Sequence, residues 1–130
     1  MAVQRKLEYF VLQYAPNALT DECINLGLVV LDPSLPETGF CVVRFAENWG
    51  KRVQFIDPEA DLEILSASVL EFERRLCNPE QRAEMLRIME DSFSNSIRVS
   101  SRKLCFYENV ASAIEILATR NLQVSVAQDA

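Results

Sequence analysis

The sequence predicts an α+β fold: a small antiparallel sheet, made of a three-stranded N-terminal meander plus a later short strand, with about three helices packed on it. Two observations carry that expectation. Up to Ala46, runs rich in Val, Leu, Phe and Tyr are separated by Pro-, Asn- and Gly-bearing connections, as short strands are by turns. From Leu62 onward, apolar residues recur at steps of three and four, the period of helices buried on one side.

The first strand is Leu7 to Ala15. Tyr9 and Val11 have one parity, Phe10 and Leu12 the other, so both faces of this strand are covered. Pro16 and Asn17 end it, because Pro cannot donate to a ladder. A second strand runs from Ile24 to Leu31 and stops at Asp32-Pro33. Gly27 inside it weakens the strand, which points to a bulge or a close backbone approach. After a loop from Asp32 to Gly39, Phe40 to Ala46 is a third strand.

Asn48 to Ile56 reads as a loop or a short helix. Asp57 then offers an N-cap, with Pro58 at the first helical position. Leu62, Leu65, Val69, Phe72 and Leu76 form one apolar stripe. Asn78-Pro79-Glu80-Gln81 starts the next helix, with Gln81 placed to complete a capping box. Leu86, Met89 and Phe93 continue its apolar face. Ile97 to Ser100 is a short fourth strand, and Val110, Ala113, Ile114, Leu117 and Ala118 mark a last helix from about Glu108 to Arg120. Leu122, Val124 and Val126 alternate weakly, a hint of one more strand. The 130 residues make a single domain, 1–130.

Composition excludes more than it assigns. Histidine is absent, which removes Ser-His-Asp and Cys-His nucleophilic machinery and histidine-bound zinc. Neither glycine-rich phosphate loop occurs. The net charge of −6 argues against direct nucleic-acid binding, which needs a basic face. The longest apolar run, Leu26 to Leu31, is far below the roughly 20 residues of a membrane span, and no secretory signal is evident. The expected setting is cytoplasmic, with no membrane contact and no cofactor or metal.

Cys23, Cys41, Cys77 and Cys105 have no metal or redox spacing, so buried free thiols in a reducing compartment account for them. The acidity is local. Residues 57–93 carry four Lys/Arg against ten Asp/Glu, while the two flanking segments are nearly balanced. A solvated helical face explains this, and an acidic surface for a basic partner is the sharper alternative. Asp57, Glu59, Asp61 and Glu63 resemble an oxygen-ligand cluster, but residues two apart on a helix diverge, and acids stabilise helix N-termini.

The least generic residues surround the entry to the second strand. Tyr14, Glu22, Asn25 and Arg44 are the candidate binding residues, with Glu22 expected to pair with Arg44. A polar brace holding the meander is the structural account of the same group, and no catalytic residue is identified.

Tyr14-Ala15-Pro16, Glu22-x-x-Asn25-x-Gly27, Asp57-Pro58-x-x-Asp61-Leu62 and Ile97-Arg98-Val99-Ser100 together resemble the bacterial family called domain of unknown function 3037. That family has no established activity. The resemblance implies a protein partner, with a HipA-like kinase the specific candidate. The expected role is therefore a protein-interaction or regulatory module, with homo-oligomerisation left open. The alternatives are a small carboxylate- and Arg-dependent enzyme or nucleotide-processing domain, and an acidic inhibitor of a nucleic-acid-binding protein.

Overall fold

Strand β1 (Arg5–Tyr14) occupies the centre of the sheet, as its two apolar parities require. The computed structural model describes residues 5–16, 23–35, 39–91 and 97–122. On one side of β1 lies β2 (Ile24–Leu31), followed by β3 (Cys41–Phe45), which gives the expected antiparallel meander. The other side is shared. β4 (Ile97–Val99) pairs with Leu12 to Tyr14, and β5 (Lys103–Tyr107) pairs with Arg5 to Tyr9.

β5 is absent from the sequence expectation. It is the continuation of β4 after a one-residue register slip. At the break, Ser100 N–H donates to Val11 O at 2.9 Å, and Val11 N–H donates to Ser100 Oγ at 2.9 Å. The hydroxyl supplies an acceptor where the ladder is interrupted, so the backbone polar groups of Val11 stay paired.

The pleat sorts the core into two halves. Phe10, Leu12 and Tyr14 face helices α1 (Trp49–Ile56), α2 (Leu62–Leu76) and α3 (Pro79–Asp91). Leu7, Tyr9 and Val11 face α4 (Val110–Leu122), which buries Ala113, Ile114, Leu117, Ala118 and Leu122. Among the described residues there are four helices, because the segment after Asn48 is a helix and not a loop. The stripe from Leu62 to Leu76 packs on the sheet as its spacing predicts. Leu122 ends α4 instead of opening a strand, and Val124 and Val126 lie outside the described residues.

The bulge expected at Gly27 is present. Leu12 pairs with Gly27 and Gln13 with Asn25, so Leu26 is the extra residue on β2. Leu26 and Val29 consequently both enter the α1–α3 half of the core, which strict alternation forbids.

One helix start differs from expectation, and one matches it without its full cap. Asp61, not Asp57, caps α2: its side chain accepts from Glu63 N at 3.1 Å and Ile64 N at 3.2 Å. Asp57 to Ala60 forms a separate turn closed by Ala60 N to Asp57 O at 3.1 Å. Both acids suit an N-cap, and the turn at Pro58 shifts the helix start by one turn. Asn78 does cap α3, accepting from Glu80 N at 3.0 Å. The capping box stays open, because Asn78 N–H donates to Arg75 O at 3.3 Å and Gln81 Oε1 is buried with no partner among the described residues. Arg82, on the same helix, is buried at 2% exposure beside Met85 and Leu86, and Phe93 lies outside the described residues.

Candidate functional site

The residues singled out around the second strand fall on both faces of the sheet. Tyr14 is buried on the α1–α3 side, and its hydroxyl donates to Asp57 Oδ2 at 2.6 Å. Asn25 and Arg44 point to the α4 side. Asn25 Nδ2 donates to Asn121 O at 2.9 Å and its Oδ1 accepts from Gln13 Nε2 at 3.1 Å. Arg44 makes a two-pronged contact with Glu115 on α4, in place of the expected pairing with Glu22. Glu22 lies outside the described residues. The contact holds the Glu115 carboxyl below the usual range through the Arg44 hydrogen bond, and the same bond raises Arg44. Asn25 and Arg44 thus fasten α4 to the sheet, and Tyr14 fastens the turn after α1.

The acidic cluster before α2 is taken up by backbone. Asp61 caps the helix, while Asp57 accepts from Glu59 N at 3.3 Å as well as from Tyr14. Among the described residues, no three Asp, Glu, Cys or His side chains gather where they can hold a metal. A cleft of about 230 Å3, lined by Arg5, Lys6, Leu7, Asp32, Ser34 and Phe40, is smaller than the roughly 300–1,000 Å3 of ordinary ligand pockets.

The exposed apolar side chains point elsewhere. On α2, Ile64 and Leu70 are six positions apart, about 240° around the helix axis, so they form no common face. Leu104 and Phe106 are two apart on β5 and therefore share a face. They are 57% and 58% exposed, although they stand next to β1 in the sheet. β5 alternates: Cys105 and Tyr107 pack toward α4, leaving Leu104 and Phe106 on the opposite face. Among the described residues β5 pairs only with β1, so its outer edge presents unpaired backbone groups.

Cations bracket these two side chains. Lys6 Nζ stands 5.9 Å from the centre of the Phe106 ring. At the other end Arg102 lies over the Phe10 ring at 5.8 Å and donates to Glu8 Oε1 at 3.1 Å. Arg5 and Lys103 are exposed on the same two strands. In a chain of net charge −6, this end of the sheet is a basic, apolar exception.

The family model described as protein of unknown function (DUF3037) matches residues 9–121. The chain belongs to this family. No curated protein and no solved structure matches it. No helix among the described residues of this DUF3037 protein is long and apolar enough to cross a membrane.

Sequence reading overlooked the β5 surface in this DUF3037 chain although its signal is present. Leu104-Cys105-Phe106-Tyr107 is an unbroken run with high strand propensity, but it lacks the alternation that marks a half-exposed strand.

Proposed function

We propose that this DUF3037 protein is a protein-interaction module that binds an extended, acidic segment of a partner protein along β5. The observation that carries this reading is Leu104 and Phe106, both more than half exposed on an open strand edge and bracketed by Lys6 and Arg102. An added strand pairs its backbone with the outer edge of β5. Apolar side chains at its alternate positions cover Leu104 and Phe106, and the acids between them, on the other face, meet Arg5 and Lys103 on the α4 side of the sheet. The kinase implied by the family resemblance makes a HipA-like kinase the first partner to try.

A peptide of alternating Leu and Glu, titrated calorimetrically, tests the surface directly. Binding is expected to weaken as salt rises, because the contacts are partly charged and exposed. Leu104→Ser with Phe106→Ser is expected to weaken it at least tenfold, about 1.4 kcal/mol. Equal binding by the double variant overturns the proposal. So does preference for a Leu–Lys peptide, which instead favours the acidic surface of residues 57–93.

A further inference from the structure

Cys41 and Cys77 are 36 positions apart in sequence and adjacent in space. Cys41 is the first residue of β3, and Cys77 caps the C-terminus of α2. Cys77 Sγ donates to Cys41 O at 3.9 Å, which brings the two side chains together. Cys77 is exposed, against the buried thiol expected from sequence, and Cys41 is partly buried.

One side chain holds both backbones in place. Arg82, at 2% exposure, donates from Nε to Leu76 O at 2.6 Å and from Nη1 to Gly39 O at 2.8 Å. Leu76 immediately precedes Cys77, and Gly39 lies two residues before Cys41. The guanidinium therefore fastens the β3 entry to the end of α2 where the thiols meet. Its charge also favours the thiolate of each. Cys23 and Cys105 have no comparable neighbour described.

We propose that Cys41 and Cys77 are a redox-reversible dithiol that closes to a disulfide when a hydroperoxide oxidises it. Cys77, the more accessible thiol, reacts first. Its thiolate attacks the peroxide, an S–O bond forms as the O–O bond breaks, and the displaced oxygen leaves as water or an alcohol after taking a proton. Cys41 sulfur then attacks Cys77 sulfur. The S–S bond forms as the S–O bond breaks, and hydroxide leaves as water with the Cys41 proton. A small dithiol reverses the reaction by exchange. The product ties the outer strand of the sheet to the α2–α3 junction.

Burial pushes the Cys41 thiol up to about 11 and raises Cys77 as well, so closure is slow near neutrality and accelerates as pH rises. This separates a slow sensor or clamp from a fast peroxidase.

The test treats the full chain with hydrogen peroxide, alkylates the remaining thiols and maps the linked peptides by mass. The expected product joins the Cys41 and Cys77 peptides with loss of two hydrogens, leaves Cys23 and Cys105 alkylated, and reverts with dithiothreitol. Closing this long loop is expected to raise Tm by several degrees. In Cys41→Ser, Cys77 is expected to stop at a sulfenic acid that dimedone traps. Full alkylation of both thiols in folded, peroxide-treated protein overturns the proposal. Links spread indiscriminately over all four cysteines overturn it too.

Discussion

A Cβ built on Gly27 would stand 2.7 Å from Phe45 Cδ1, and 3.1 Å from the carbonyl oxygen of Arg44. Phe45 pairs with Gly27 across β2 and β3, and its ring fills the space that a side chain would need. Gly27→Ala is expected to destabilise the protein by about 1–3 kcal/mol, the usual range for overpacking a filled core. Phe45→Leu in the same chain should recover part of that loss. Urea unfolding of the two single variants and the double variant measures the coupling.

Gly27 also shows how far the sequence carries. A glycine in an apolar strand announces a bulge or a close approach, and here it marks both. The strand meander, the Leu62 to Leu76 stripe and the Asn78 cap were legible because each is a local pattern. The Asp61 cap was not, since Asp57-Pro58 and Asp61 offer equally good local signals and tertiary contact decides between them. Tyr14, 43 positions away, takes the Asp57 carboxylate and holds the turn apart from the helix. The partner of Arg44 was equally hidden, because Glu115 lies 71 positions away on α4. Of the surface proposed for binding, the cations and apolar residues are present in the sequence, but not the strand edge that is unpaired among the described residues.

Asn78→Ala is expected to cost about 1 kcal/mol, within the usual range for a lost N-cap. Gln81→Leu should cost little or stabilise the protein, because Gln81 Oε1 is buried without a partner among the described residues. A capping box closed in solution would reverse the second result. Thermal unfolding of both variants separates the two outcomes.

The Arg44–Glu115 contact predicts a pH dependence. The folded Glu115 pKa is depressed, so its contribution is present above the unfolded value and is lost as pH falls through the folded value. In Arg44→Ala the Glu115 carboxyl should titrate closer to the ordinary carboxylate range. Side-chain carboxyl NMR during an acid titration reads this directly. Because both groups are substantially exposed, the accompanying change in stability should be small and shrink further in salt.

Tyr14→Phe removes the hydroxyl that donates to Asp57 and leaves the aromatic packing in place. A hydrogen bond to a charged acceptor contributes about 1.5–3 kcal/mol, and a loss of that order is expected in urea unfolding. Asp57→Asn should lose less, since the amide oxygen still accepts from Tyr14. An equal loss in both variants would assign the effect to the carboxylate charge instead.

Arg82 offers the most demanding test of how the two layers are joined. Its guanidinium is almost wholly buried and bonds the carbonyls of Leu76 and Gly39, which belong to the end of α2 and the approach to β3. Arg82→Met keeps much of the apolar stem but leaves both carbonyls without this donor. At about 1–3 kcal/mol for each such polar group left unpaired, the variant should lose roughly 2–6 kcal/mol. Arg82→Lys should recover little, because one ammonium on a flexible stem does not reproduce the planar fork that reaches two acceptors. Chemical denaturation gives the magnitudes. Hydrogen exchange at the Cys77 and Cys41 amides locates them, with faster exchange expected there than at β1. If Lys restores full stability, the buried charge and not the fork geometry holds α2 against β3.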